Sequence, residues 1–233
     1  VADGAALSEL AEKHRRSNRI ACEIIREKTS PTEFIGVSFG TDSDAYYLPV
    51  GHTNAKQQLT VKEALDAMAP VFGDPQIKKY FYDLKTVLVC LENLVVANGE
   101  DPQLAAYLLN PARQTYELDE IAWEYLHERI PAPDEVAGGR GKAYPLALVP
   151  VDKMADYAGR RVGAILSLAH ELHGRLKKVD AASLYHDVEM PLQRGPIKNR
   201  IRSSFSYSCI ISHCFNSSLL RTRTDFGLFS FRI

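Results

Sequence analysis

Three short apolar segments follow one another early in the chain, and together they constrain its fold more than any other feature. Residues 18–25 place isoleucine and cysteine side chains at alternate positions, which is typical of a β-strand. Residues 33–40 and 45–52 are two further strand candidates, separated only by a short polar turn. Two strands joined in this way predict a hairpin. The domain is therefore predicted to begin with antiparallel strands.

Helical patterns alternate with one more strand in the rest of the chain. Thr60 followed by Glu63 is a capping box, which predicts the start of a helix. Asp74-Pro75 ends that helix, and residues 76–82 are the fourth predicted strand. Further helices are predicted over 1–15, 84–96, 101–110, 117–129, 152–178 and 180–193, with a Pro- and Gly-rich loop over 131–150. This order predicts an α/β fold in which helices cover a mixed sheet.

The composition is that of a soluble globular protein. It gives the chain no overall electrostatic attraction to nucleic acid or membranes. The 233 residues are 45% hydrophobic and carry a formal net charge of −1. The sequence contains no apolar run of about 18 residues and no apolar signal segment at its start. Its four cysteines form no CxxC pair and no zinc-ligand spacing. We therefore expect a cytoplasmic protein with reduced thiols and no membrane partner.

The end of the chain differs from everything before it. Residues 195–233 contain five Phe and six Lys or Arg against a single Asp, so their formal charge is +5, which leaves −6 on residues 1–194. No sustained helical or strand periodicity is visible in this part. We predict one domain over residues 1–194, followed by a basic Ser/Phe-rich tail that is disordered or translated out of frame. A tail that binds nucleic acid is the alternative.

Several motifs occur in the order and spacing of a known domain. The strand motif FIGVSF precedes YYLPVGH at 46–52, the junction YFYDLKTV follows at 80–87, and DPQLAAYLLNP, LDEIAWEYL and VEMPL stand further along. Over residues 18–193 the chain resembles the 3′–5′ proofreading exonuclease domain of bacterial DNA polymerase I. The resemblance implies a ribonuclease H-like fold.

The family binds its metals through four carboxylates, and two of its three motifs involve the first strand and a late helix. The first motif is Asp-x-Glu, and the resemblance places Ala21 and Glu23 on its two positions. The third motif is Tyr-x-x-x-Asp, which corresponds here to Tyr157 and Arg161. Glu23 and Tyr157 are thus retained, whereas two carboxylates are replaced.

The second motif of the family is Asn-x-x-x-Asp at a strand–helix junction. Here Asp83 takes the Asn position, Lys85 is retained and Val87 takes the carboxylate position. Proofreading exonucleases use two divalent metals about 4 Å apart, and Mg²⁺ needs oxygen ligands. Because alanine, valine and arginine side chains offer none, we predict no intact catalytic residue, no bound metal and no cofactor. The resemblance is to the polymerase I enzymes of some Bacillus-like bacteria, whose exonuclease domain persists without activity.

Two functions stay open at this point. The first is an inactive, structural or DNA-guiding domain of a DNA polymerase I in replication and repair. Its partners would be the polymerase domain of the parent enzyme and, weakly, the 3′ end of single-stranded DNA. The second is an active exonuclease acting on DNA 3′ ends with Mg²⁺ or Mn²⁺, in which Asp83 or Asp156 substitutes for a lost ligand. Three carboxylates gathered around Glu23 would favour the second.

The resemblance also predicts a contact between two side chains. In the family, the first-motif Glu and the third-motif Asp share a metal, so the corresponding side chains converge. Arg161 is therefore expected close to Glu23, because a buried carboxylate needs a partner and a guanidinium can bind it in a fork. Ala21 and Val87 would then fill space that metal and water occupy elsewhere.

Overall fold

A computed structural model describes residues 17–27, 30–55, 58–90, 95–139, 141 and 143–193. The predicted helix over 1–15 and the tail over 195–233 lie outside the described residues. None of the helices in the described part is long and apolar enough to span a membrane.

A five-stranded mixed sheet forms the centre of the domain. Its order is β3-β2-β1-β4-β5, in which β1 pairs antiparallel with β2 and parallel with β4. The predicted hairpin is confirmed by the antiparallel pairing of β2 with β3. The strands are β1 (Arg19–Glu27), β2 (Ser30–Gly40), β3 (Ala45–Pro49), β4 (Lys78–Phe81) and β5 (Gly99–Glu100).

Helices pack on this sheet and complete the α/β architecture. The longest is α6, which contacts β1, β2, β3 and β4 and also packs against α3 and α4. The helices are α1 (Val61–Gly73), α2 (Leu84–Cys90), α3 (Pro102–Leu109), α4 (Leu118–Leu126), α5 (Pro133–Val136), α6 (Val151–Lys178) and α7 (Met190–Gln193), with a 3-10 turn at Leu146–Leu148 and a π-helical segment at Leu184–Glu189.

Local sequence signals account for the starts of α1 and α3. Thr60 accepts a hydrogen bond from the backbone N–H of Glu63, and the Glu63 carboxylate accepts one in return, so the predicted capping box is present at α1. Asp101 caps α3, with Pro102 at the first helical position. These starts depend on neighbours in sequence, which is why the pattern of residues predicts them.

The structure differs from the sequence prediction where contacts between distant segments decide the conformation. The two-residue strand β5 was not predicted, because it exists only through parallel pairing with β4. The predicted 131–150 loop contains α5 and the 3-10 turn, and the predicted helix over 180–193 is π-helical for half its length. The observed α2 is described as far as Cys90, and residues 91–94 of the predicted helix lie outside the described part.

A buried histidine joins the hairpin to the segment before α6. His52 Nδ1 lies 3.0 Å from the carbonyl oxygen of Val149, and its Nε2 lies 2.7 Å from the hydroxyl of Tyr47. Tyr47 crosses directly over Gly36 on β2, where an added Cβ would clash with the hydroxyl and ring of Tyr47. Burial lowers the pKa of His52, although the Val149 carbonyl opposes that shift. The folded protein therefore holds this imidazole in its neutral form.

We expect the contribution of His52 to the stability of the domain to fall as the pH falls from 7.5 to 5. The pKa of His52 is depressed in the folded state, so its contribution is complete above the unfolded pKa of about 6.5 and is lost as pH falls through the folded value. Urea denaturation across this range should show that the wild type loses stability relative to His52→Gln as the pH falls. His170→Gln, on an exposed position of α6, is the matched control and should keep the full dependence. Equal dependence in wild type and His52→Gln would contradict this account.

Candidate functional site

A cleft opens beside the C-terminal half of β1, where this strand faces α6. Its volume is about 250 Å³. The strand contributes Glu23 to Glu27, and the helix contributes Tyr157 and Arg161. The remaining lining residues are Glu117, Pro133 and Leu146. The cleft therefore lies where the sequence places the first and third motifs.

A buried ion pair closes the floor of this cleft. Arg161 Nη2 lies 2.6 Å from Glu23 Oε1, and Arg161 Nε lies 2.7 and 2.9 Å from the two carboxylate oxygens. The two side chains are only 9% and 10% exposed. The contact predicted from the sequence is thus confirmed. The guanidinium binds both oxygens of the carboxylate, which is the strongest arrangement available to such a pair.

Charge and burial act against each other at Arg161. Burial alone would lower the pKa of the guanidinium, but the Glu23 carboxylate beside it raises that pKa further, and the net effect is a rise. The guanidinium carbon also lies 5.2 Å from the centre of the Tyr157 ring, one helical turn earlier on α6. Burial raises the pKa of the Tyr157 hydroxyl, so this group stays neutral. The guanidinium therefore stays charged beside Glu23, and both side chains are largely shielded from water.

The other two motif positions are apolar and belong to the hydrophobic core. Ala21 lies two residues before Glu23 on β1, is completely buried, and pairs with Gly40 on one side and Tyr80 on the other. Val87 is 3% exposed in the second turn of α2. Neither side chain carries an oxygen atom that could bind a metal. Both side chains pack within the hydrophobic core.

The strand–helix junction at the second motif is held by the carboxylate of Asp101, which stands at the start of the helix predicted over 101–110. Asp101 accepts hydrogen bonds from the backbone N–H groups of Asp83, Leu84 and Gln103 at 2.9–3.2 Å. Burial raises the pKa of Asp101 to about 7, the charge of Asp83 adds to that rise, and the N–H donors oppose it. Asp101 thus ties the start of α2 to the start of α3. The Asp-Pro pair in the sequence signals the cap but not the distant donors.

Asp83 and Asp156 were the sequence candidates for replacement ligands, and each contacts an arginine. Asp83 has a positive φ of 58° between β4 and α2, and its carboxylate lies 3.3 Å from Arg26 Nη2. Asp156 pairs with Arg160 on the exposed side of α6 at 3.2 Å. In the described part of the chain, no group of three or more His, Cys, Asp or Glu side chains is arranged to hold a metal ion. In the cleft, Glu23 contacts Arg161.

Solved structures with a similar fold include nucleases and a DNA polymerase. The POL domain of Pol1 from M. smegmatis, solved in complex with DNA primer-template and dNTP, matches with a TM-score of 0.59 and 21% identity, over 82% of this chain and 30% of that chain. RNase D from Trypanosoma brucei matches with a TM-score of 0.59 and 17% identity, over 97% of this chain and 75% of that chain. These likenesses support the ribonuclease H-like fold predicted from the sequence.

Relatives by sequence are DNA polymerases I. The enzyme of Chloroflexus aurantiacus is 28% identical over 203 residues, which is 82% of this chain and 21% of that protein. The enzyme of Bacillus subtilis is 30% identical over 162 residues, which is 68% of this chain and 17% of that protein. The chain therefore spans about a fifth of the length of these relatives.

The family itself is identified by a match that covers most of the described domain. Residues 20–168 match the family described as DNA polymerase I, ribonuclease H-like domain. This range contains the sheet except for Arg19, together with the cleft and the Glu23–Arg161 pair. The chain belongs to this family and is a 3′–5′ exonuclease-like domain of bacterial DNA polymerase I.

Proposed function

We propose that this domain is a catalytically inactive exonuclease domain with a structural role in a DNA polymerase I. The observation that carries the proposal is the buried ion pair between Glu23 and Arg161. The guanidinium lies against the carboxylate that would otherwise bind a metal, and it supplies the compensating positive charge itself. A divalent cation would have to displace Arg161 from Glu23, and the positive charge of the guanidinium would repel the cation.

The chemistry of the reaction supports this proposal. Two-metal hydrolysis requires one cation to generate hydroxide and a second to stabilise the leaving oxygen. Hard cations such as Mg²⁺ are held by carboxylate and carbonyl oxygens. Of the four positions that the family resemblance assigns to ligands, Glu23 alone carries a carboxylate, and both of its oxygens accept hydrogen bonds from Arg161. The alternative of an active exonuclease would need other ligands, and Asp83 and Asp156 are paired elsewhere.

The charges of the cleft favour a structural role over tight binding of DNA. Three of its lining residues are glutamates (Glu23, Glu27 and Glu117), whereas two are arginines (Arg26 and Arg161). Phosphate groups are bound mainly by Lys and Arg, so a cleft with this balance holds a DNA strand weakly. We infer that the domain serves as a platform against the polymerase domain of the parent enzyme, with at most a weak contact to a single-stranded 3′ end.

A nuclease assay tests the proposal directly. We expect the protein to leave a 5′-labelled single-stranded DNA at full length with Mg²⁺ or with Mn²⁺, because the site cannot retain two metals. Product length is measured on denaturing gels over several hours, with an active 3′–5′ exonuclease as positive control. Glu23→Gln, purified in parallel, reports any contaminating nuclease. Shortening from the 3′ end that EDTA and Glu23→Gln both abolish would overturn the proposal.

The ion pair should also control the stability of the domain. Arg161→Met and Glu23→Met, made singly, should each lower the free energy of unfolding by about 3–5 kcal/mol, because each leaves a buried charge without its partner. The double variant should be close to the wild type, because two apolar side chains of similar size then fill the site. Urea denaturation at pH 7 measures all four proteins and completes a double-mutant cycle.

An exposed ion pair of the same domain is the matched control. Arg19 and Asp42 also form two hydrogen bonds at 2.9 Å, but their side chains are 44% and 59% exposed. Arg19→Met should therefore cost less than about 1 kcal/mol. Additive costs for Glu23→Met and Arg161→Met, with no recovery in the double variant, would show that the two charges do not depend on each other.

A further inference from the structure

The last described part of the chain docks onto the domain through two neighbouring ring side chains. This part, residues 184–193, consists of the π-helical segment and α7, and we call it the closing segment. Tyr185 is buried, and its hydroxyl accepts a hydrogen bond from the backbone N–H of Asp101 at 2.9 Å. The ring of His186 lies against the ring of His173 on α6, with 5.1 Å between their centres. The closing segment is therefore docked partly through a contact between two imidazoles.

The surroundings of His173 suit a neutral ring and not a charged one. The ring lines a cavity of about 10 Å³, together with Tyr80, Leu176 and Tyr185. A cavity of this volume admits at most one water molecule. Within the described residues, His173 Nδ1 is buried without a hydrogen-bond partner. Because both nitrogens of a protonated imidazole are donors, protonation would leave a buried N–H without an acceptor.

The charged groups around His173 also oppose its protonation. Burial is the main cause that lowers the pKa of His173, and its positive neighbours lower that pKa further, whereas Glu100 raises it. The positive neighbours are Lys78, Lys177 and, when protonated, His186. Glu100 Oε1 lies 3.8 Å from His186 Nδ1, but the same oxygen lies only 2.7 Å from Lys78 Nζ. The carboxylate is thus already paired when an imidazole becomes charged.

Asp101 responds to acid with the opposite sign. Burial raises its pKa to about 7, so its contribution to the docked state is lost as the pH rises through this value and grows as the pH falls. Gln193 in the closing segment lies 3.4 Å from the Asp101 carboxylate. The segment also carries Asp187 and Glu189, and Glu189 attracts Lys85. The effect of His173 is therefore separated from these groups by replacing His173 itself.

We propose that His173 and His186 form an acid-sensitive latch, which holds the closing segment while His173 is neutral and weakens its docking when His173 is protonated. Two imidazolium rings at this distance repel each other, and a charged His173 gains water only when the segment moves away. Opening uncovers apolar side chains of α3 and α6 that line the cavity, among them Ala105 and Leu176. The latch lies beside the edge strand β5 and does not depend on the nuclease activity of the domain.

Hydrogen exchange of the full chain at pH 7.5 and 5.5 tests the latch. The protection factors of amides in residues 184–193 should fall about three- to ten-fold more in the wild type than in His173→Gln. The upper limit follows because an open-state histidine with a pKa of about 6.5 gains at most a factor of about ten at pH 5.5. His170→Gln is the matched control, since His170 is exposed one turn earlier on α6, and it should behave like the wild type. Equal falls in the wild type and His173→Gln would overturn the proposal.

An NMR titration of the wild-type chain gives an answer that does not depend on the fold of any variant. The ring signal of His173 should titrate at a lower pH than a histidine in a short unstructured peptide in the same buffer. The amide signals of residues 184–193 should change with the same midpoint as this ring, because docking follows its protonation. A His173 midpoint at or above that of the peptide would overturn the proposal. Segment amides that do not follow the His173 ring would overturn it as well.

Discussion

Burying a carboxylate on the central strand of a sheet imposes a condition on the rest of the domain. β1 has neighbours on both edges and is buried from Ile20 to Ile25, so Glu23 cannot reach bulk water through the strand. An ionised carboxylate in that position costs several kcal/mol unless a cation compensates it. In this chain the cation is Arg161, and its position requires α6 to pack along β1 in one register. The longest helix and the central strand are thereby joined by charge as well as by apolar contact.

In the function that we propose, the same compensation explains how the domain would keep its fold without metal ligands. A metal site with four carboxylates is stable because two dications neutralise it. Removing single ligands would leave uncompensated charge, whereas replacing one carboxylate by arginine and two by alanine and valine restores neutrality and packing together. Arg161 supplies the positive charge beside Glu23. As a set, the three residues are consistent with the structural role that we propose.

Polar links between distant segments hold the parts around the pair. Asp101 accepts a hydrogen bond from a backbone N–H group at the start of α2. His52 connects the hairpin to the carbonyl of Val149. Each link places a titratable side chain in a buried position, so burial shifts the pKa of both groups. The architecture of the domain is therefore sensitive to pH at two places away from the cleft. Hydrophobic packing alone would not make these connections.

The sequence by itself determined the features that depend on neighbouring residues and on motif order. The hairpin, the capping box of α1, the start of α3 and the extent of α6 follow from local patterns, and the family resemblance predicted the Glu23–Arg161 contact. Only the tertiary structure decided the rest. β5 exists through its pairing with β4, and Asp101 acquires two of its three backbone donors from residues 17 and 18 positions away. These features depend on which surfaces meet when the chain is folded, and no local pattern of residues contains that information.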